Sequence, residues 1–222
     1  MVQNSKQLLL NLNFHENYSK ENFYKGDSHS EAYTWINSYE YWPNGVFILN
    51  GDSGSGKSHL CNIYKEKTNA IKLNKYFNVE EINNENNHLI IDDFDEIINT
   101  KEMEEKLFHL INRSYLHKSN LLLTTKINPK KMDIKLKDLK SRLNAAPCVI
   151  IHDPDDETFS LLLAKQLYDK GISLKPEVQE FAIKNCERSY KEIRSLSNYL
   201  YEIKTKKQTP ISIFDIRNYI IN

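Results

Sequence analysis

The residues of this chain best suited to chemistry are Gly51-Asp52-Ser53-Gly54-Ser55-Gly56-Lys57-Ser58, which fit G-x-x-x-x-G-K-[ST] at every fixed position. Glycines so placed let the backbone turn tightly, so that successive N–H groups face one point. That point lies at the start of the next helix, where the helix dipole also favours an anion. Lys57 would reach the β- and γ-phosphates of a nucleotide, and Ser58 would offer its hydroxyl to Mg2+. A second group is His88-Leu-Ile-Ile-Asp92-Asp93, an apolar run ending in two carboxylates. An ionised acid at the tip of a buried strand needs a partner. Beside a phosphate loop that partner would be Mg2+, with Asp92 the metal-side acid acting mostly through water. Asp93 is placed to polarise an attacking water, or else to cap a helix. Thr124 and Thr125 end another apolar run and read either as sensors of a γ-phosphate or as ordinary strand-terminal threonines; the choice depends on the fold. Arg142, in Asp138-Leu-Lys-Ser-Arg-Leu143, stands out because apolar neighbours would fix its backbone while it projects.

The elements that must position these groups follow from pattern. Apolar runs at 46–50, 70–73, 88–91, 120–125 and 147–151 read as short strands, the central ones buried. Helices are expected from Ser28 to Ser38 with Ala32, Trp35 and Ile36 inward, and from Lys57 to about Tyr64. Another is expected from Glu102 to about Leu116, with Leu107, Leu110, Ile111 and Tyr115 on one face. The character changes at Asp153. Asp153-Pro154 suggests an N-cap with proline at the first helical position, and Gly171 a C-cap, so a helix is expected over 154–170. Helices follow at Pro176–Asn185 and Ser189–Lys204, and a last one opens at Ser212-Ile-Phe-Asp215. Strands followed by a run of helices imply an α/β core with a small helical domain, jointed near residue 153.

The whole chain sets bounds on function. Its 222 residues suit one large domain or a core plus a smaller one. Lys plus Arg number 30 and Asp plus Glu 30, a formal charge of zero that argues against a dedicated nucleic-acid domain. A local basic face remains over 126–142, at Lys126, Lys130, Lys131, Lys135, Lys137, Lys140 and Arg142. Cys61, Cys148 and Cys186 lack metal-ligand spacing and read as reduced thiols. No apolar run approaches the ~18 residues of a membrane span, and the N-terminus has no signal-peptide character, so a cytoplasmic protein is expected. Gln7-Leu8-Leu9-Leu10-Asn11-Leu12 is either an extended piece packed on the domain edge or a short motif that docks leucines into a partner.

Taken in order, Gly-Lys-Ser-His-Leu60, Ile-Asp-Asp93, Leu-Leu-Thr-Thr125 and Asp-Leu-Lys-Ser-Arg-Leu143, followed by the helices, resemble the AAA+ ATPases of the replication-initiator group. The closer resemblance is to the Hda (HdaA) family, DnaA-related regulatory inactivators of the initiator DnaA. Phe23-Tyr-Lys-Gly-Asp-Ser28, Ser30-Glu-Ala32 and Trp42-Pro43 share in it, and it runs from about residue 6 to the C-terminus. It implies an AAA+ P-loop NTPase core with a five-stranded parallel sheet and a small C-terminal helical lid. The segments would be 1–20 for clamp binding, 21–152 for the core and 153–222 for the lid. It further implies bound ADP or ATP with Mg2+, held by Gly51 to Ser58 and Asp92. Gln7, Leu8, Leu10 and Leu12 would contact the DNA polymerase III sliding clamp, its β subunit, with DNA reached only through the clamp. Arg142 would act as an arginine finger on the ATP of DnaA, and Asp93 and Thr125 would be the further catalytic groups.

The chain also departs from that pattern. Lys191 stands before Glu192 where the group often has a sensor arginine, and Arg194 lies one turn on as a substitute. His29 stands where the initiator pattern often has Asn. Both imply weak intrinsic ATPase activity. The lack of a helix-turn-helix segment after the lid speaks against DnaA itself. Self-association as a homodimer or higher oligomer stays open. The alternative is an autonomous DnaA- or DnaC-like AAA+ ATPase in replication initiation or helicase loading, which would bind single-stranded DNA through the 126–142 lysines. A third reading is an adaptor that uses nucleotide only for folding.

Overall fold

The computed structural model describes residues 27–79, 82, 88–207 and 209–221. Gln7, Leu8, Leu10 and Leu12 lie outside the described residues. The strands are β1 (Val46–Gly51), β2 (Ile71–Leu73), β3 (Leu89–Ile91), β4 (Leu121–Thr125) and β5 (Cys148–Ile151). They form one five-stranded sheet in the order β2-β3-β4-β1-β5, every pairing parallel. The helices are α1 (Asp27–Asn37), α2 (Lys57–Thr68), α3 (Lys101–Leu116), α4 (Lys137–Ala145), α5 (Asp156–Asp169), α6 (Pro176–Asn185), α7 (Tyr190–Lys206) and α8 (Ile213–Ile221).

The continuous apolar runs of the central strands are explained by burial on both faces. Alternate residues of β1 point to opposite sides. Phe47 and Leu49 join Ile90 and Leu122 in a core with α1, α2 and α5 to α8. Val46 and Ile48 join Leu89, Ile91, Leu121 and Leu123 in a core under α3 and α4. Trp35 of α1 stacks on Phe47 at 5.3 Å between ring centroids, and Trp42 donates its indole N–H to the Trp35 carbonyl at 2.8 Å. Because all strands run parallel, their C-terminal ends share one edge. Gly51, Asp92, Thr125 and Ile151 therefore converge where an open α/β sheet places its ligand.

Three local expectations are corrected. Helix α5 starts at Asp156, and its cap is Asp155, whose carboxylate accepts the Thr158 N–H at 2.7 Å. Pro154 is buried ahead of that turn, so Asp153 is left outside it. Tyr115 is not on the inner face of α3: it is exposed, and the small Ser114 faces inward instead. Strand β3 ends at Ile91, which leaves Asp92 and Asp93 just past the ladder, with Asp93 in the left-handed region at φ 52°. No helix among the described residues is long and apolar enough to cross a membrane.

Candidate functional site

The phosphate-loop pattern is realised between β1 and α2. Gly54 and Gly56 have φ of +85° and +89°, a conformation that side chains with a Cβ rarely adopt. Gly51 is needed for space: a Cβ there would lie 2.7 Å from Ser55 Oγ and 3.1 Å from Ile151 Cβ. Asp52 and Ser53 form the exposed outer turn, with the Ser55 N–H donating to the Asp52 carbonyl at 3.1 Å. Lys57, the first residue of α2, is buried and turns back under the loop. Its Nζ donates to the Gly51 carbonyl at 2.7 Å and to the Asp52 carbonyl at 3.0 Å. Burial lowers the pKa of this ammonium, against the opposing pull of Asp93 and Asp92.

The loop fits a polyphosphate. Its left-handed glycines turn the chain about one point at the start of a 12-residue helix. The Ser55 hydroxyl is buried there without a hydrogen-bond partner among the described residues. The metal expectation also has fitting donors, since the Ser58 hydroxyl donates to Asp92 Oδ2 at 2.9 Å. A hydroxyl and a carboxylate are the hard oxygens that Mg2+ prefers. Among the described residues, no group of three or more His, Cys, Asp or Glu side chains gathers to offer another metal site.

Asp92 is the most heavily bonded group in the cluster. Besides Ser58, it accepts Lys72 Nζ on Oδ2 at 2.7 Å and Thr124 Oγ1 on Oδ1 at 2.5 Å. Burial pushes its pKa up, but the bonds from Lys72, Thr124 and Ser58 outweigh burial and hold it below the usual carboxylate range. Asp93 differs: burial, and then the negative charge of Asp92, raise its pKa. The Asp93 carboxylate makes no cap bond to the turn Phe94–Glu96, so the capping alternative fails, and it lies 3.5 Å from Lys126 Nζ. The two threonines part company. Thr124 bridges the acids, accepting the Asp93 N–H at 2.8 Å while donating to Asp92. Thr125 instead closes its own turn, bonded to the N–H and carbonyl of Ile127. The hydroxyl that meets the carboxylates is thus that of Thr124.

The helices after β5 reach the loop through Tyr190, the first residue of α7. A Cβ on Gly54 would sit 3.4 Å from that of Tyr190. The Tyr190 ring meets His29 edge-on at 5.7 Å, and His29 Nε2 donates to the Ser55 carbonyl at 2.8 Å. Burial lowers the His29 pKa, the Ser55 bond opposing it. Lys191 and Arg194 are exposed on the first turns of α7, and burial, followed by Arg194's positive charge, lowers the pKa of Lys170.

Arg142 lies elsewhere, on α4. Leu139 and Leu143 anchor the inner face of this helix, and Arg142 is exposed. No partner among the described residues holds its guanidinium. The helix start is fixed by a residue that the sequence pattern did not single out. Glu104 of α3 is buried, and its carboxylate accepts the N–H groups of Lys135 at 3.2 Å and Leu136 at 2.7 Å. A signal existed, because Glu104 falls in line with Leu107 and Ile111 on the apolar face of α3. Nothing local in the sequence links Lys72 to Asp92.

Comparison with known proteins agrees with this geometry. The family model "Bacterial DnaA ATPase domain" matches residues 62–149. The chromosomal replication initiator protein DnaA of Buchnera aphidicola (subsp. Baizongia pistaciae) is 26% identical over 226 residues, covering 89% of this chain and 49% of that relative. The chain spans about half the length of the curated DnaA relatives it matches. Among solved structures, domain III of the Thermotoga maritima replication initiation protein DnaA superposes with a TM-score of 0.74 at 21% identity, over 90% of this chain and 94% of that one. AMPPCP-bound DnaA from Aquifex aeolicus gives 0.69 at 21% identity, over 91% and 68%.

Proposed function

We propose that this chain, which resembles DnaA in sequence and in its P-loop fold, is a DnaA-related AAA+ regulatory nucleotide-binding protein that stimulates hydrolysis of the ATP held by DnaA. In this reading it holds ADP, or ATP, in the loop Gly51–Ser58, and Ser58 and Asp92 are the residues that would hold Mg2+. It works in the cytoplasm, tethered to the DNA-loaded sliding clamp through Gln7, Leu8, Leu10 and Leu12. The unit 21–152 carries the nucleotide, and 153–222 serves as its lid, with Lys191 or Arg194 at its sensor position.

The observation that carries the proposal is Arg142. It stands exposed on a helix whose inner face is anchored and whose start is fixed, with no partner among the described residues. A guanidinium stays charged and spreads its donors over developing phosphate charge, so a cation placed in this way suits a nucleotide on another protein. Asp93 and Thr125 stand differently toward the nucleotide site. Asp93 fits a water-polarising acid, because its raised pKa makes it a better base than an ordinary aspartate. Thr125 is occupied by Ile127, and Thr124 takes over the contact with the acids.

The test is phosphate release from ATP-loaded DnaA with clamp on DNA, with and without this protein charged with ADP. The variants Arg142→Ala and Gln7→Ala are run beside it. Stimulation by the wild type and its loss in both variants support the proposal. Unchanged release, with ATP hydrolysis by this chain alone, points instead to an autonomous ATPase. The exposed Lys130, Lys131, Lys137 and Lys140 favour that second reading, as a surface for single-stranded DNA.

A further inference from the structure

We propose that Lys72 is a resident cation at the metal-side acid, so that this chain retains nucleotide with little dependence on Mg2+. The inference rests on the nucleotide reading above and concerns the same site.

Lys72 lies on β2, the edge strand, in register with Ile90 of β3, two residues before Asp92. A strand neighbour so placed can lay a long side chain along the sheet edge to the tip of the next strand. Its Nζ reaches Asp92 Oδ2 at 2.7 Å, the same oxygen that accepts the Ser58 hydroxyl at 2.9 Å. The other oxygen is taken by Thr124 at 2.5 Å. The acid is therefore neutralised by an ammonium, and its bonds are filled from three sides by its own chain.

Two consequences follow from charge and geometry. A divalent ion between Ser58 and Asp92 must displace Lys72 from Oδ2 or tolerate a like charge beside it, and either lowers metal affinity. Conversely, the positive charge that Mg2+ would bring close to the phosphates is partly supplied by Lys72 together with Lys57. A site built in this way keeps its nucleotide and turns it over slowly, which suits a partner whose own hydrolysis is not the point of its action. The Asp92 side chain is 14% exposed and that of Lys72 44%. The ammonium can thus swing out into water, and the pair is a brake on metal binding rather than a block.

The experiment is a titration of a fluorescent ADP analogue into the full chain in MgCl2 and in EDTA, for wild type, Lys72→Met and Lys72→Arg. The wild type and Lys72→Arg are expected to change affinity by no more than about threefold between the two buffers. Lys72→Met is expected to show a Mg2+ dependence of about tenfold. A wild type that already weakens about tenfold in EDTA, with the same ratio in Lys72→Met, overturns the proposal and leaves the nucleotide reading standing. Absence of binding by the wild type in either buffer removes the nucleotide reading, and this inference with it. If Lys72→Met does not fold, as judged by its thermal transition, the wild-type ratio decides alone.

Discussion

The phosphate-loop end of the sheet and the outer face of α4 are both rich in charge, yet they treat it in opposite ways. At the loop, Lys57 is bonded to two carbonyls, and Asp92 accepts from Lys72, Ser58 and Thr124. On α4, Arg142 is exposed beside the buried Leu139 and Leu143, and its guanidinium has no partner among the described residues. Burying charge is costly unless it is paired, and the charged groups at the loop are paired within the chain. An exposed arginine carries no such penalty and can wait for a partner. Under the proposed function this difference is a division of labour, with one region holding a ligand and the other acting on something outside.

The sharpest way to break that division is Arg142→Ala. Stimulated phosphate release from DnaA is expected to fall by about 10³ or more, while nucleotide binding to this chain is unchanged. A loss of nucleotide affinity in this variant would join the two regions into one site. The converse variant, Lys57→Ala, is expected to weaken ADP binding by about 10- to 100-fold, measured by calorimetry, because a buried charge-assisted contact is lost.

A smaller effect tests what fixes α4. Glu104→Ala removes the acceptor for the Lys135 and Leu136 N–H groups, and is expected to destabilise the fold by about 1–3 kcal/mol in urea denaturation. Stimulation of DnaA should fall with it even where the protein remains folded, because α4 is no longer anchored at its start.

The smallest effect is one of pH, and it probes the loop's own packing. The folded-state pKa of His29 is depressed below its ordinary 6.5 by burial, so the fold favours the neutral ring. Below that value the unfolded chain takes up a proton that the folded chain resists. The stability contributed by neutral His29 is therefore full above about pH 6.5 and declines as pH falls toward the folded pKa. Urea titrations between about pH 5 and pH 8 should show this slope, and His29→Asn should flatten it. His88, whose pKa is also lowered by burial, leaves a residual slope in the variant.

Much of the fold and of the loop is legible in the residues themselves. G-x-x-x-x-G-K-S is a local pattern whose backbone demands are met by its own glycines, and the loop forms where the pattern lies. Helix α6 begins and ends at the expected residues, since Pro176 and the spacing of Val178 and Ala182 are local signals. Arg142 can be singled out because Leu139 and Leu143 face inward at a spacing of four. The cap of α5 falls two residues later than expected, because Asp153 and Asp155 are both plausible caps and only the buried position of Pro154 separates them.

The tertiary structure alone decided which groups meet. Thr124 and Thr125 are adjacent and identical in type, and strand alternation sends them to different neighbours. One bridges Asp92 and Asp93, and the other folds onto Ile127. Lys72 reaches Asp92 only because β2 pairs with β3 in one register, and Tyr190 reaches Gly54 only because α7 packs above the loop. Periodicity and turn chemistry are written along the chain, so the sequence determines the elements and the loop. Partners far apart in sequence are chosen by register and packing, which no local pattern encodes, and those choices set the charge balance of the site.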